Sequence, residues 1–345
     1  MTSRLDRVID ETGFSGVVHV ARADHVVYAR ATGLADRAHE IPNTLDTQFA
    51  IASGTKGLTA LAVMSLVAEG TLGLDATVQS VLGDVTDLLD PAVTVRHLLA
   101  HTSGMGDYLD ESMITDVEDY VLGVPVHRLA LPADFVPLLR GLPAKSQAGT
   151  TFAYCNSGYV LLALVIERVT GRSYYDVVHE TIFATVGMQA TAFHRLDELP
   201  GSAAIGYLPK RGWRSNHLHL PVRGGGDGGA YSTAGDIARF WKGLFAGRIV
   251  PLATLTEMVR PQHDAAPTSH AYGLGFWLTK DRNGVFLEGS DPGISFRSTF
   301  EPPTGLLYTV LSNTTSGAWP VVKELEAIRP EFVLTAEPAD RRSQQ

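Results

Sequence analysis

The chain has 345 residues, of which 45% are hydrophobic and 19% charged, with a formal net charge of −9; this is the profile of a globular protein with one large domain or two lobes. No block of like charge occurs, and the negative balance argues against a nucleic-acid or anionic-membrane surface. The longest apolar runs, Leu58–Ala68 and Val160–Ile166, are too short to span a bilayer, and the single cysteine, Cys155, excludes an internal disulfide.

Residues 3–12 predict a short mixed polar helix. No apolar h-region of a signal peptide precedes it, so a cytoplasmic protein is expected. Gly16–Ala21 and Val26–Ala31 are β-branched and apolar and predict a hairpin joined by Arg22-Ala23-Asp24-His25. A loop with Pro42 and Asn43 follows. Leu58–Ala68, rich in Ala, Leu and Met and free of proline, predicts a buried helix that starts near Ser53. From about 75 to 215, helical periods such as Val95–Leu99, Phe135–Arg140 and Tyr159–Thr170 alternate with loops. Thr233-Ala234-Gly235-Asp236 reads as a capping box opening a helix through Phe245. Tyr272–Lys280, Val285–Glu288, Ile294–Phe300 and Leu306–Ser312 predict strands separated by turn residues, and a helix follows over Ala318–Ile328. Strands at both ends and helices between predict an α+β fold. One antiparallel β-sheet flanked by helices is assigned to residues 1–72 and 224–335, and a mostly helical lobe to 73–223. The polar tail 336–345 is expected to be disordered.

Ser53 is the only serine with a lysine three residues on, Lys56. At the start of a helix, positions i and i+3 share a face, so the amine stands beside the hydroxyl. A serine hydroxyl needs a base to become a nucleophile. A lysine can act as one when burial or neighbours lower its pKa. Free N–H groups at a helix start favour a developing oxyanion. Tyr154 is the only tyrosine with an asparagine two residues on, Asn156. Beside a lysine ammonium, its phenolate is expected to become accessible and to shuttle the serine proton. Asn156 offers an amide to a substrate carbonyl or to Lys56.

Ser53-x-x-Lys56 before an apolar helix, Tyr154-x-Asn156, and a glycine-bearing late strand together resemble the serine β-lactamase and penicillin-binding-protein superfamily. The Tyr-x-Asn form is similar to the branch of class C β-lactamases, D-alanyl-D-alanine carboxypeptidases and family VIII esterases. Thr94–Met105, Gly228–Asp236 and the strand ending Leu311-Ser312-Asn313 are similar to that branch too. The resemblance implies a β-lactamase/transpeptidase-like fold, Ser53 as acylated nucleophile, Lys56 and Tyr154 as the base pair, Asn156 as a substrate contact, and no cofactor. It also implies a structural role for His101. Anchored on Pro292-Gly293, the third motif falls on Leu287-Glu288-Gly289, with the Ser290 N–H joining that of Ser53 in an oxyanion hole. Here Leu287 stands where relatives carry a cation or ring, and Glu288 where they carry a small residue. The first leaves a substrate carboxylate without a partner. The second is an acid that could raise the Lys56 pKa or attract a cationic substrate. A small-molecule ester or amide is therefore the expected partner, with a D-amino-acid peptidase or amidase, an acyltransferase, or a weakly catalytic penicillin-binding sensor as alternatives. The oligomeric state is left open.

Other patterns carry less. No Gly-x-Ser-x-Gly elbow and no His-Glu-x-x-His occurs. His217-x-His219 lacks further ligands, so no metal is expected. Gly224-x-Gly226-x-x-Gly229 matches a dinucleotide fingerprint in form but follows no clear strand. Cys155 reads as a buried small side chain.

Overall fold

The computed structural model describes residues 2–23, 25–83, 88–209, 211–265 and 270–334. The expected tail at 336–345 lies outside them. The fold is α+β around one eight-stranded antiparallel sheet. Its strands are β1 (Gly16–Arg22), β2 (His25–Thr32), β3 (His263–Ala265), β4 (His270–Tyr272), β5 (Trp277–Leu278), β6 (Val285–Asp291), β7 (Ile294–Glu301) and β8 (Leu306–Ser312), in the spatial order β2-β1-β8-β7-β6-β5-β4-β3. The two chain ends meet at β1 and β8, with Val18 opposite Val310 and Val17 opposite Leu311.

Period-2 alternation gives the sheet two apolar faces. Val18, Val20, Leu306, Tyr308 and Val310 face the terminal helices α1 (Thr2–Thr12) and the last helix, Ala318–Leu334, forming one core with Leu5, Ile9, Val321 and Leu325. Val17, Leu287, Phe296 and Leu311 face the other way, into a larger core. Into that face pack α2 (Thr55–Ala68) and, beside it, the helix Ala234–Phe245, whose Trp241 Nε1 donates to Ser298 Oγ at 2.9 Å. The same core continues through α3 (Asn156–Thr170) and the Val95–Leu99 helix, so the middle of the chain shares its apolar interior with the sheet. We label the helices Ala234–Phe245 and Ala318–Leu334 α4 and α5. Among the described residues no helix is long and apolar enough to cross a membrane.

Helix α2 is apolar all round because it is buried all round. Its small residues set how closely it lies on the sheet. A Cβ on Gly54 would come 2.5 Å from the Phe296 ring, and one on Gly57 2.4 Å from Leu287 Cδ2. This close approach lays the start of α2 along β6.

Three local expectations change. Tyr272–Lys280 is two short strands, β4 and β5, because the chain turns at Gly273–Phe276. There Gly275 (φ +90°) makes room for Ala60 of α2, 2.2 Å from where its own Cβ would lie. Thr233 does cap α4, accepting from Asp236 N at 3.1 Å. Asp236 does not return the bond; its buried carboxylate accepts instead from Ala190 N (2.8 Å) and Thr191 Oγ1 (2.6 Å). Phe135–Arg140 is a short helix, Val136–Leu139, entered through a 3₁₀ turn.

Candidate active site

Ser53 sits in a 3₁₀ turn, Ala52–Gly54, directly before α2. The turn is held by Ile51 N donating to Ala230 O at 2.9 Å. It places Ala52 at φ +44°, a strained value for a residue with a Cβ. The i, i+3 expectation holds: Lys56 Nζ lies 2.9 Å from Ser53 Oγ. The amine is almost wholly buried and donates to Asn156 Oδ1 at 2.7 Å and to the main-chain oxygen of Asp227 at 2.6 Å. Burial pulls the Lys56 pKa below the ordinary lysine range, against the opposing pull of Asp227, Glu111, Asp107 and Asp291.

Asn156 opens α3, and the carboxylate of Asp107 caps that helix from outside. Asp107 accepts from the N–H groups of Asn156 and Ser157, each at 2.9 Å. The Asn156 side chain is fixed at both ends, since its Nδ2 donates to Leu109 O at 2.8 Å and to Asp107 Oδ2 at 3.3 Å. Its carbonyl therefore steadies Lys56, and its amide nitrogen is already engaged. Of the two uses expected for Asn156, the structure shows the one directed at Lys56.

The Tyr154 ring centroid lies 4.9 Å from Lys56 Nζ, and Ser53 is among the groups that act on its hydroxyl. The ring is held between His101, with centroids 4.3 Å apart, and Trp277, stacked at 6.2 Å. His101 accepts from Cys155 N at 3.1 Å through Nδ1, and its carbonyl accepts from Ala153 N at 2.8 Å. Burial keeps this imidazole neutral. It braces the loop that carries Tyr154. The accessible phenolate expected for Tyr154 is corrected. Burial raises its pKa well above the ordinary phenol value, and the nearby Glu111 adds to the rise, outweighing the opposing influence of Ser53. The residue in this pair that is shifted toward its basic form is Lys56.

Strand β6 forms the opposite wall. A Cβ on Gly289 would come 2.2 Å from Ile51 O and 2.8 Å from Ser53 N. Only glycine lets the strand reach the serine turn. Strands β6 and β7 are joined by the two-residue turn Pro292-Gly293, so Asp291 and Ile294, paired across it, must exchange both backbone hydrogen bonds. By alternation, the Ser290 N–H points away from β7. We expect Gly289→Ala to lower kcat/KM by about 100-fold, because a shift of a few tenths of an ångström or more in the serine turn misplaces the attacking atom. An unchanged circular dichroism spectrum with that loss is the predicted pair of readings; full activity would show that the strand can yield.

Two sequence-derived contacts are corrected. Glu288 projects to the α5 face of the sheet, where Arg297, opposite it on β7, donates to its carboxylate through Nε at 2.6 Å and also bonds Glu326 of α5. Its carboxylate is engaged by Arg297, and it is not among the residues that line the cleft. Leu287 is 2% exposed and packs beneath α2 against Gly57, as core. The motif gave their positions along the strand, but the docking of α2 decides which face they present.

Several residues that the sequence left unassigned join the site. The glycine run 224–229 is no nucleotide loop. It folds against α2 and α3, where a Cβ on Gly226 would come 2.2 Å from Tyr159 O, and Thr59 Oγ1 donates to Gly226 O at 2.6 Å. This brings the Asp227 carbonyl to Lys56. The Asp227 carboxylate accepts from Tyr108 Oη at 2.5 Å. The run of six residues with five glycines was the visible signal, but its reason is tertiary. The cleft in front of Ser53 is walled by apolar and aromatic groups, among them Tyr108, Leu122, Phe135, Leu220 and Ile294, with Asp227 and Asp291 as its carboxylates. Among the described residues lining it there is no Lys or Arg. Among the described residues no group of three or more His, Cys, Asp or Glu is placed to hold a metal ion.

A hydroxyl, an amine stripped of water and a phenol beside them make an arrangement suited to acyl transfer. Comparison with known proteins agrees. A family model described as Beta-lactamase matches residues 3–330. PbpX of Bacillus subtilis (strain 168) is 26% identical over 319 residues, covering 91% of this chain and 74% of that protein. Esterase EstB of Burkholderia gladioli is 35% identical over 214 residues, covering 56% of this chain and 52% of its own length. A solved penicillin binding protein from Bacillus halodurans superposes with a TM-score of 0.88 at 35% identity, covering 94% of this chain and 99% of that one.

Proposed function

Because the chain belongs to the Beta-lactamase family, and because of the contacts around Ser53, we propose that it is a serine hydrolase cleaving small esters or amides through an acyl-enzyme on Ser53. The observation that carries this reading is the bonding of Lys56. A neutral amine has two N–H groups and one lone pair. Asn156 Oδ1 at 2.7 Å and Asp227 O at 2.6 Å take the two N–H groups, which turns the lone pair to Ser53 Oγ at 2.9 Å. Burial favours that neutral form.

In the proposed cycle Ser53 Oγ attacks the acyl carbon while its proton passes to Lys56 Nζ. The N–H groups of Ser53 and Ser290 receive the oxyanion. The tetrahedral adduct collapses, the bond to the leaving group breaks, and Tyr154 hands that group a proton as it takes one from Lys56. Tyr154 remains a phenol at rest, in keeping with its raised pKa, and acts as a relay. Water then attacks the acyl-enzyme, giving up a proton to the same pair, and the acid leaves as Ser53 recovers its hydrogen. No cofactor enters.

The test is intact mass after exposure to a fluorophosphonate, together with hydrolysis of short p-nitrophenyl esters. A single adduct mapping to Ser53, with turnover of the esters, is expected. A protein that gains no adduct and hydrolyses none of the esters would refute the proposal.

A further inference from the structure

We propose that Asp291 is a specificity residue that receives a positively charged amine on the acyl part of the substrate, so that the preferred substrates are esters or amides with an ammonium group one or two carbons from the scissile carbonyl. This rests on the hydrolase reading above and adds the substrate class. Asp291 lines the cleft together with Ser53. On β6 it lies two residues beyond Gly289 and so on the same face, about 6.6 Å along the strand from the glycine that touches the serine turn. An acyl group on Ser53 that carries an amine close to its carbonyl can span that gap.

The site is rigid. Asn216 Nδ2 donates to Pro292 O at 2.9 Å, and Gly293 N donates to Thr315 Oγ1 at 3.0 Å, pinning the turn that follows Asp291. Asp227, the other carboxylate of the lining, is committed to Tyr108. Asp291 has no hydrogen-bond donor on its carboxylate among the described residues, and the described lining supplies no Lys or Arg to neutralise it. A substrate ammonium is the partner that this environment lacks. A substrate carboxylate, by contrast, would meet acids and no fixed cation.

The electrostatics agree. Burial, then Glu111, push the Asp291 pKa up to about 7, with Asp227 adding to the rise and Lys56 opposing it. His194 and His219 also line the cleft. A bound ammonium would favour the ionised carboxylate. The preference for amine substrates should therefore grow as pH rises through about 7, for as long as the amine keeps its proton.

The test compares benzyl esters of D-alanine, L-alanine and β-alanine with benzyl propionate and monobenzyl succinate, following benzyl alcohol release. In the wild type at least one amine ester is expected to exceed benzyl propionate by about 10-fold or more in kcat/KM, with the difference mainly in KM, and the succinate to be slowest. Asp291→Asn should bring the amine-to-propionate ratio close to one, and Asp291→Glu should keep it above one. Because the ratio is read within each protein, a general loss of activity does not imitate the effect. A wild-type ratio near one, or the same high ratio in Asp291→Asn, overturns the inference while leaving the hydrolase reading standing. Failure to cleave any ester, with no fluorophosphonate adduct, removes both.

Discussion

Ser53→Ala is expected to lose about 10⁴-fold or more in kcat/KM on p-nitrophenyl esters and to take no fluorophosphonate adduct. Each factor of ten is about 1.4 kcal/mol of transition-state stabilisation, so the loss is on the order of 5 kcal/mol or more. The size follows from the site. With Oγ gone, the remaining N–H groups can still polarise a bound carbonyl, but no bond to the acyl carbon can form. The fold should be indifferent. Ser53 is only partly buried, and the strong contacts of Lys56 with Asn156 and Asp227 survive the change. A melting temperature within a degree or two of wild type is therefore part of the prediction. Retained ester turnover in Ser53→Ala, with an adduct mapped to another residue, would move the nucleophile elsewhere.

The second large effect is at Lys56, where charge and basicity can be separated. Burial holds its pKa below that of an ordinary lysine, so the amine is neutral over more of the accessible pH range. The sign is fixed: a base must be unprotonated, so kcat/KM rises with pH through the lowered Lys56 pKa and falls as pH drops below it. Lys56→Arg keeps a cation and cannot supply a neutral base, because guanidinium does not lose its proton in proteins. It is expected to lose about 10³-fold or more, and its rate of fluorophosphonate labelling should fall in step. If Lys56 served only as a positive charge beside the oxyanion, arginine would retain much of the activity and the wild type would show no acid limb. The measurement is the pH profile of kcat/KM for wild type beside the labelling rate of Lys56→Arg, with thermal melts to confirm that the larger side chain is accommodated.

The two catalytic effects draw on different levels of the molecule. That Ser53 and Lys56 meet follows from helix geometry, and the sequence alone places them on one face. The proposed basicity of Lys56 draws on Asn156 and Asp227, which lie 100 and 171 residues away. Asn156 could be found from its spacing to Tyr154. Asp227 could not, because it contributes a main-chain oxygen, and a backbone group leaves no mark on residue identity. Its only trace is the surrounding glycine run, which exists because Gly226 lies against the backbone of α3. Asp107 escaped notice for a similar reason. An acid that caps a helix from a loop 49 residues away has no local pattern, unlike Thr233, which caps the helix that follows it.

The strand β6 marks the boundary most sharply. The sequence by itself determined that Leu287 and Glu288 present opposite faces, because side chains alternate along any strand; that the strand runs on through Asp291, putting Gly289 and Asp291 on the Leu287 face, came from the structure. The sequence also determined that an apolar, small-residue helix follows Ser53, and that the chain ends build one sheet. Only the tertiary structure decided which face of β6 looks at Ser53. Helix α2 docks on the Leu287 side, which buries Leu287 as core, turns Glu288 to Arg297 on the far side, and leaves Asp291 in the cleft. The same burial decided which of Lys56 and Tyr154 is shifted toward its basic form. Proximity of a phenol to an amine can be read from spacing, but the free energy of charging either one depends on how much water remains around both, and that is set by the packing of α2, α3 and the glycine run together.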